Sequence, residues 1–166
     1  MLSLFKHAAI FCVSLLVISC AFSPPERMAY GGADSVSAIS PDMLVGNWNI
    51  RILNPIEGED TIKNIRADYR PNGTVVMKTL TQTTTGPMGT VALEMTGSWT
   101  IEGDYVRQQL NDIKETSGNS VANFLIGMMG SAKERFSGTA NVYEASVQRV
   151  VLVSDNGQAQ ELTRLP

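Results

Sequence analysis

The feature that most constrains the fold of this chain is a series of short segments in which apolar and polar residues alternate. In the segment 90–101 the apolar residues share one parity; they are Val91, Leu93, Met95, Trp99 and Ile101. Side chains two residues apart lie on the same face of a β-strand, so this pattern indicates a strand with one buried face. The chain is therefore expected to form a β-sheet.

Six further segments of this character predict strands at 44–53, 61–70, 74–84, 105–115, 142–153 and 158–165. Several connections between them are short and carry turn residues: Pro71-Asn72-Gly73, Gly103-Asp104 and Asp155-Asn156-Gly157. Glycine supplies the positive φ that tight turns demand. Because short connections favour antiparallel neighbours, we expect a mainly β fold built as an antiparallel meander.

One segment after the fifth strand has a different period. Asn119-Ser120 is typical of a helix cap, and apolar residues then recur at intervals of three and four: Val121, Phe124, Leu125, Met128, Ala132 and Phe136. This spacing predicts a helix over about 120–136 with one apolar face. That face could pack on the sheet, cover the mouth of the fold as a lid, or dock on a partner.

Four short motifs resemble the lipocalin-like (calycin-type) domains of small bacterial lipoproteins. They are Gly46-x-Trp48, Tyr69-x-Pro-Asn-Gly-Thr74, Gly97-x-Trp99-x-Ile101 followed by Gly103-Asp104, and Leu162-Thr-Arg-Leu165. The resemblance covers 44–165 and implies a small closed barrel of about seven to eight strands, and the residue pattern places the helix at 120–136 before the last strands. Lipocalins have eight strands and a C-terminal helix, so a count of about seven and an inserted helix are departures. A barrel of this size can hold one small ligand or be filled by its own side chains.

The N-terminal residues have the pattern of an export signal. Lys6 supplies positive charge, and the apolar core at 8–18 is too short for a transmembrane span, which takes about 20 apolar residues. The core ends in Val17-Ile-Ser-Cys20, which resembles the bacterial lipobox. We therefore predict a signal peptide over 1–19 and lipidation of Cys20. The alternative is an ordinary secretory signal with an incidental cysteine.

The lipobox resemblance also implies a location. In lipoproteins the cysteine carries a diacylglyceryl thioether and an N-acyl chain such as palmitate, and two or three acyl chains hold a protein stably on a membrane. Ala21 follows Cys20 in place of the aspartate that commonly signals inner-membrane retention. We therefore expect an outer-membrane lipoprotein of the bacterial envelope.

The residues that follow Cys20 predict a linker. Residues 21–42 are rich in Pro, Gly, Ser and Ala, a composition typical of a flexible tether. A short helix around Met28 is the alternative. The predicted organisation is a signal peptide over 1–19, a lipidated cysteine and tether over 20–42, and one β domain over 43–166.

Composition excludes several classes of function. Acidic residues outnumber basic ones by 16 to 13, and a formal net charge of −3 argues against nucleic acid as a partner. The single histidine, His7, and both cysteines, Cys12 and Cys20, lie in the signal region. The β domain then lacks the residues for a Ser-His-Asp or Cys-His pair and for a His/Cys zinc site. Composition leaves open a carboxylate pair, a Ser/Lys dyad or a reaction carried by a cofactor, but we expect a non-enzymatic protein that needs no metal or cofactor.

Large apolar side chains on the predicted strands and helix are the candidates for ligand binding: Trp48, Tyr69, Met77, Met95, Trp99, Phe124 and Met128. Methionine adapts to irregular apolar ligands, although both methionines and aromatic residues serve equally as core residues. The lipocalin resemblance implies that Trp48 and Trp99 close the narrow end of the barrel.

Two functions remain open from the sequence. The first is a membrane-anchored barrel that binds an apolar or amphiphilic small molecule. The second is a structural lipoprotein with a filled barrel that docks on another envelope protein or on a secretion complex.

Overall fold

The computed structural model describes residues 26–36, 38–54, 65–82, 90–128 and 137–166. Within these ranges the chain forms two short helices and eight strands. Their order is α1 Pro41–Leu44, β1 Gly46–Ile52, β2 Ile65–Tyr69, β3 Thr74–Gln82, β4 Thr90–Glu102, β5 Tyr105–Glu115, α2 Ser120–Met128, β6 Gly138–Ala145, β7 Arg149–Ser154 and β8 Ala159–Arg164. The mainly β fold predicted from the alternating segments is confirmed.

The eight strands close into a single antiparallel barrel. Each strand pairs with the next along the chain, and β8 pairs with β1 to complete the ring. Closure pairs the strand edges that an open sheet would leave exposed. The predicted antiparallel meander and small barrel are confirmed, and the number of strands is eight.

Glycines close two of the predicted turns. Gly73 ends the turn between β2 and β3 with φ 76°, and its N–H donates to the Arg70 carbonyl at 3.0 Å. Gly157 has φ 81° in the turn between β7 and β8, and its N–H donates to the Ser154 carbonyl at 2.9 Å. A positive φ is a conformation that glycine adopts without steric cost.

The prediction of one strand over 142–153 is wrong, because the structure divides this segment between β6 and β7. The turn lies at 146–148, where the Ser146 N–H donates to the Arg149 carbonyl at 2.8 Å. All four residues from Val150 to Val153 are buried. Burial on both faces removes the alternation that would have marked where one strand ends and the next begins.

A register shift between β4 and β5 keeps apolar residues inside the barrel. The shift lies at Thr96/Gly97: on one side of it Met95 pairs with Ile113, and on the other the inward-facing Gly97 pairs with Leu110. A β-carbon at Gly97 would lie 2.3 Å from the Gln109 carbonyl oxygen, so only glycine fits this close approach.

Residues 26–36, which we call the N-terminal strap, lie against the outside of the barrel. Met28 and Tyr30 pack on an outer cluster of buried side chains, Tyr143, Val151, Val153 and Ala159. The Ser35 N–H donates to the Tyr143 carbonyl at 3.0 Å. The strap therefore covers the outer face of β6, β7 and β8.

Polar contacts from Arg27 join the strap to the end of the barrel where β4 turns into β5. Its guanidinium forms ion pairs with Asp34 and with Asp104, the latter at 2.6 Å, and donates to the Val142 carbonyl at 3.0 Å. It also lies 4.2 Å from the centroid of the Tyr143 ring. The hydrogen bond from Arg27 lowers the pKa of the Asp34 carboxyl.

Over residues 26–36 and 38–42 the structure therefore differs from the predicted flexible tether. Ile39 is buried in the barrel core, and its N–H donates to the Gly103 carbonyl at 3.1 Å. Residues 26–30 have no regular secondary structure, so the alternative of a helix around Met28 is wrong. The predicted signal peptide and Cys20 lie outside the described residues.

Candidate functional site

The barrel has a closed end, formed by α1 and by the start of β1. Leu44 and Trp48 are both fully buried there, and the Trp48 indole N–H donates to the Leu44 carbonyl at 2.6 Å. The Arg164 guanidinium lies 4.2 Å from the centroid of the Trp48 ring and donates to the Val45 carbonyl at 2.8 Å. Because Trp48 has its polar atom paired and its ring covered, its role here is core packing.

Trp99 and Tyr69 continue this packed core. Their rings meet edge to face with centroids 5.6 Å apart. The Trp99 indole N–H donates to the Thr74 carbonyl at 3.0 Å, and the Tyr69 hydroxyl accepts from the Gln108 side chain. Burial raises the pKa of the Tyr69 hydroxyl, so this group stays protonated. Three of the predicted ligand residues thus lie together in the packed part of the barrel.

Met77 and Met95 face the interior of the barrel, one inward row of residues further from the closed end than Tyr69. Met77 pairs with Ala67 on one side and with Met95 on the other, and Met95 pairs in turn with Ile113. Directly paired residues share a face of the sheet, so these four side chains form one inward ladder that starts from Trp48. The two methionines lie side by side on the inner wall.

The next inward ladder begins at Ile50 and continues through Ile65, Thr79, Leu93 and Glu115. Ile50 is buried in the core, whereas Ile65 and Leu93 are only half-buried although they face inward. Four other inward side chains of these strands are half-buried as well: Met77, Val91, Ile113 and the side chain of Glu115. We call this region of β2 to β5 the open half, because solvent reaches its inner wall.

Thr79 is the exception within the open half. Its side chain is 5 % exposed, and its Oγ1 is buried without a hydrogen-bond partner in the described structure. Sequence reasoning did not single it out, because it lies in a strand where threonines are common. Its parity with Met77, two residues earlier, is the signal that would have placed it on the inner face.

Glu115 holds the loop between β5 and the next helix through hydrogen bonds. Its carboxylate accepts hydrogen bonds from the N–H groups of Ser117, Gly118 and Asn119, at 2.8, 2.8 and 3.0 Å. The Ser117 hydroxyl also donates to it, and these bonds lower the pKa of Glu115 to about 2. The carboxylate is therefore ionised at neutral pH.

Helix α2 follows directly and begins with the predicted cap. The Asn119 Oδ1 accepts from the N–H groups of Val121 and Ala122, at 3.1 and 3.0 Å. Ala122 is buried, whereas Val121 is 45 % exposed and Phe124 is 67 % exposed. The predicted apolar face is thus turned to solvent at these two positions.

Part of the predicted helix, with one predicted ligand residue, falls outside the described structure. Met128 is the last residue of α2, and its side chain lies outside the described part of the structure, as do residues 129–136. Phe124, a predicted ligand residue, is on the exposed side of α2.

A groove of about 630 Å³ lies on the outer face of β1 to β4. Most of the residues that line it are polar or charged. The Arg70–Asp68 and Lys78–Glu94 ion pairs, at 2.8 and 3.1 Å, neutralise part of that charge. This outer groove is separate from the apolar inner wall.

The described residues contain neither a helix that could span a membrane nor a cluster that could hold a metal ion. No described helix combines the length and apolar character that crossing a bilayer takes. No group of three or more His, Cys, Asp or Glu side chains that could hold a metal ion occurs in the described ranges.

Fold and site together define a small closed antiparallel barrel, packed at one end and accessible from within at the other. Comparison with models of known protein families gives no match, and no curated protein sequence matches significantly.

Proposed function

We propose that this protein is an envelope lipoprotein, anchored through Cys20, whose barrel binds an apolar or amphiphilic small molecule in the open half. The observation that carries the ligand proposal is the contrast between the two ends of one barrel. Trp48, Tyr69 and Trp99 fill the closed end, whereas the inward Ile65 and Leu93 remain half-buried. A lipocalin-like protein would hold its ligand on the part of the apolar inner wall that the barrel leaves accessible.

The paired methionines support the same proposal. Met77 and Met95 lie where the packed core meets the open half. A thioether side chain is flexible and polarisable, so it can fit a guest of irregular shape. Trp48, Tyr69 and Trp99 then form the floor beneath the site.

The strap limits how far the barrel could lie from a lipid attached to Cys20. Because the strap begins at Glu26, whose carbonyl accepts from Asn141 at 3.1 Å, only residues 21–25 separate Cys20 from the barrel wall. Six residue steps span at most about 20 Å. The anchored barrel would lie close to the bilayer, where amphiphilic molecules are concentrated.

The membrane part of the proposal is tested by Cys20→Ala. We expect this variant to fold but to appear in the soluble fraction, because it has no thiol to accept the lipid. Membrane fractionation with a carbonate wash measures this, and Cys12→Ala is the matched control that should remain with the membrane. Retention in the washed membrane of Cys20→Ala chains from which residues 1–19 have been removed would refute the anchor.

The ligand part is tested by native mass spectrometry of the full chain carrying Cys20→Ala. We expect an adduct of a small apolar molecule that disappears on denaturation. Leu93→Gln should lower its occupancy several-fold, because it adds an amide to the apolar inner wall, whereas Val76→Gln, which changes the outer face, should not. An adduct insensitive to Leu93→Gln would place the ligand elsewhere.

The exposed Phe124 and Val121 on α2 favour a second function, docking on another envelope protein. An exposed apolar pair at helical spacing is typical of a helix that packs against a partner. Absence of any adduct from the mass spectrum would favour this second function over the first.

A further inference from the structure

A buried hydroxyl lies on the inner wall of the open half, and it bears on the chemical class of the proposed ligand. Thr79 Oγ1 is buried, and the described residues offer it no hydrogen-bond partner. Its neighbours in the inward ladder, Ile65 and Leu93, are aliphatic. This inference rests on the proposed function, because it concerns the same site.

Burial of the Thr79 hydroxyl has a free-energy cost. In the unfolded chain water hydrogen-bonds the group, and in the folded barrel that bond is lost. A ligand that brings a hydroxyl to this position restores it, whereas a pure hydrocarbon does not. Thr79 therefore discriminates between ligands by their polar group.

The position of Thr79 along the barrel sets the orientation of such a ligand. Thr79 lies three residues before Gln82, where β3 ends, while Met77 and Met95 lie one ladder closer to the packed core. A hydrocarbon chain can lie on the methionines with its polar group at the level of Thr79. Because the Thr79 hydroxyl is enclosed, a neighbouring side chain has to move for the ligand to reach it.

Glu115 restricts the charge of that polar group. It lies in the same inward ladder as Thr79, two strands away, which is about 10 Å at the usual strand spacing. Its carboxylate is ionised at neutral pH. A ligand carboxylate beside Thr79 would lose its hydration on the apolar wall and would also be repelled by Glu115, an effect that solvent weakens over this distance, whereas a hydroxyl carries no charge.

We infer that the barrel selects an uncharged amphiphile of the long-chain alcohol class, whose hydroxyl hydrogen-bonds to Thr79 Oγ1 while its hydrocarbon chain packs on Met77 and Met95. The Thr79 hydroxyl can both donate to and accept from this group.

The test is displacement of the fluorescent probe N-phenyl-1-naphthylamine from the full chain carrying Cys20→Ala, which avoids detergent. The competitors are 1-decanol, undecane and decanoate. Thr79→Val should weaken 1-decanol about 2- to 10-fold, the range for one neutral hydrogen bond, and leave undecane unchanged. Decanoate should compete more weakly than 1-decanol.

Two controls keep the result interpretable. Thr100→Val makes the same chemical change on the exposed outer face of β4 and should alter no competitor. Ligand-free Thr79→Val should melt at a higher temperature than the parent, because it replaces a buried, unpaired hydroxyl with a methyl group, and this shows that the variant is folded.

The outcomes separate the two proposals. Equal changes in 1-decanol and undecane, or tighter competition by decanoate, would overturn the alcohol class and leave a hydrophobic site in place. Failure of the probe and of every competitor to bind the parent protein would overturn the ligand-binding function itself, and the inference with it.

Discussion

Trp48→Ala should lower the free energy of unfolding by about 3–5 kcal/mol, the usual cost of removing a large aromatic side chain from a core. Trp48 is fully buried at the closed end, so its loss leaves a cavity that α1 cannot fill without moving. The change also leaves the Leu44 carbonyl without its indole donor and uncovers the Arg164 guanidinium. Urea unfolding followed by the fluorescence of Trp99 measures the difference.

Two variants show whether the closed end is responsible. Trp48→Phe keeps an aromatic ring and loses the indole N–H, so we expect a smaller loss of about 1–2 kcal/mol. Val147→Ala truncates a side chain that is 67 % exposed in the turn between β6 and β7, and should change stability by less than about 0.5 kcal/mol. A loss from Trp48→Ala no larger than that of the Val147 control would show that this end of the barrel is not held by Trp48.

The strands that alternate with one buried face could be predicted from sequence. Segment 90–101 became β4 within one residue because one face meets the core and the other meets solvent. The turns at Gly73 and Gly157 were equally legible, since their backbone conformation demands glycine. These features depend on local chemistry alone.

The division of 142–153 into two strands could not be predicted, and the reason lies elsewhere in the chain. The strap buries the outer face of Val151 and Val153, while the core buries Val150 and Leu152. A strand that is covered on both faces has no alternation. The turn at 146–148, Ser-Val-Gln, also contains no glycine, proline, asparagine or aspartate, and its serine is a weaker turn signal than any of these.

The packing of the strap on the barrel could not be predicted from its composition. Prolines, glycines and serines around it predict a linker, and its attachment comes from single contacts with no period, such as those of Arg27 and Ser35. On α2, spacing predicted the helix but not the face that packs, since the small Ala122 is buried and the larger Phe124 is not. The spacing of apolar residues identifies one face of a helix, but which residues of that face become buried depends on the tertiary structure.

The sequence predicted which residues line the inside of the barrel, but not how far each one lies from the closed end. Alternation places Trp99 and Met95 on the same inner face, and the structure agrees. It cannot tell that Trp99 lies in a packed core while Met95 borders accessible wall, because depth along a barrel depends on how eight strands stagger. Thr79 illustrates the same limit, since a threonine inside a barrel and one outside it look alike in sequence.

Tyr143→Ala should detach the strap from the barrel wall and lower the free energy of unfolding by about 3 kcal/mol or more. Tyr143 is the centre of the outer cluster: its ring meets Tyr30 edge to face at 5.4 Å, and its hydroxyl donates to the Met28 carbonyl. Its ring also carries the Arg27 guanidinium. Without it the strap keeps backbone contacts such as the Ser35 hydrogen bond but loses the apolar surface beneath Met28 and Tyr30.

Cleavage by trypsin after Arg27 reports this detachment directly, because a protease cuts a segment only in its open state. We expect the 27–28 bond of Tyr143→Ala to be cut at least tenfold faster than in the parent chain, as judged by mass spectrometry of the fragments. Tyr143→Phe keeps the ring and loses one neutral hydrogen bond, so its cleavage rate should stay much closer to the parent rate. Equal cleavage of the parent and Tyr143→Ala would mean that the strap is already free in solution. The distance between barrel and membrane would then be set by the whole stretch that follows Cys20, and the close approach inferred from the strap would be lost.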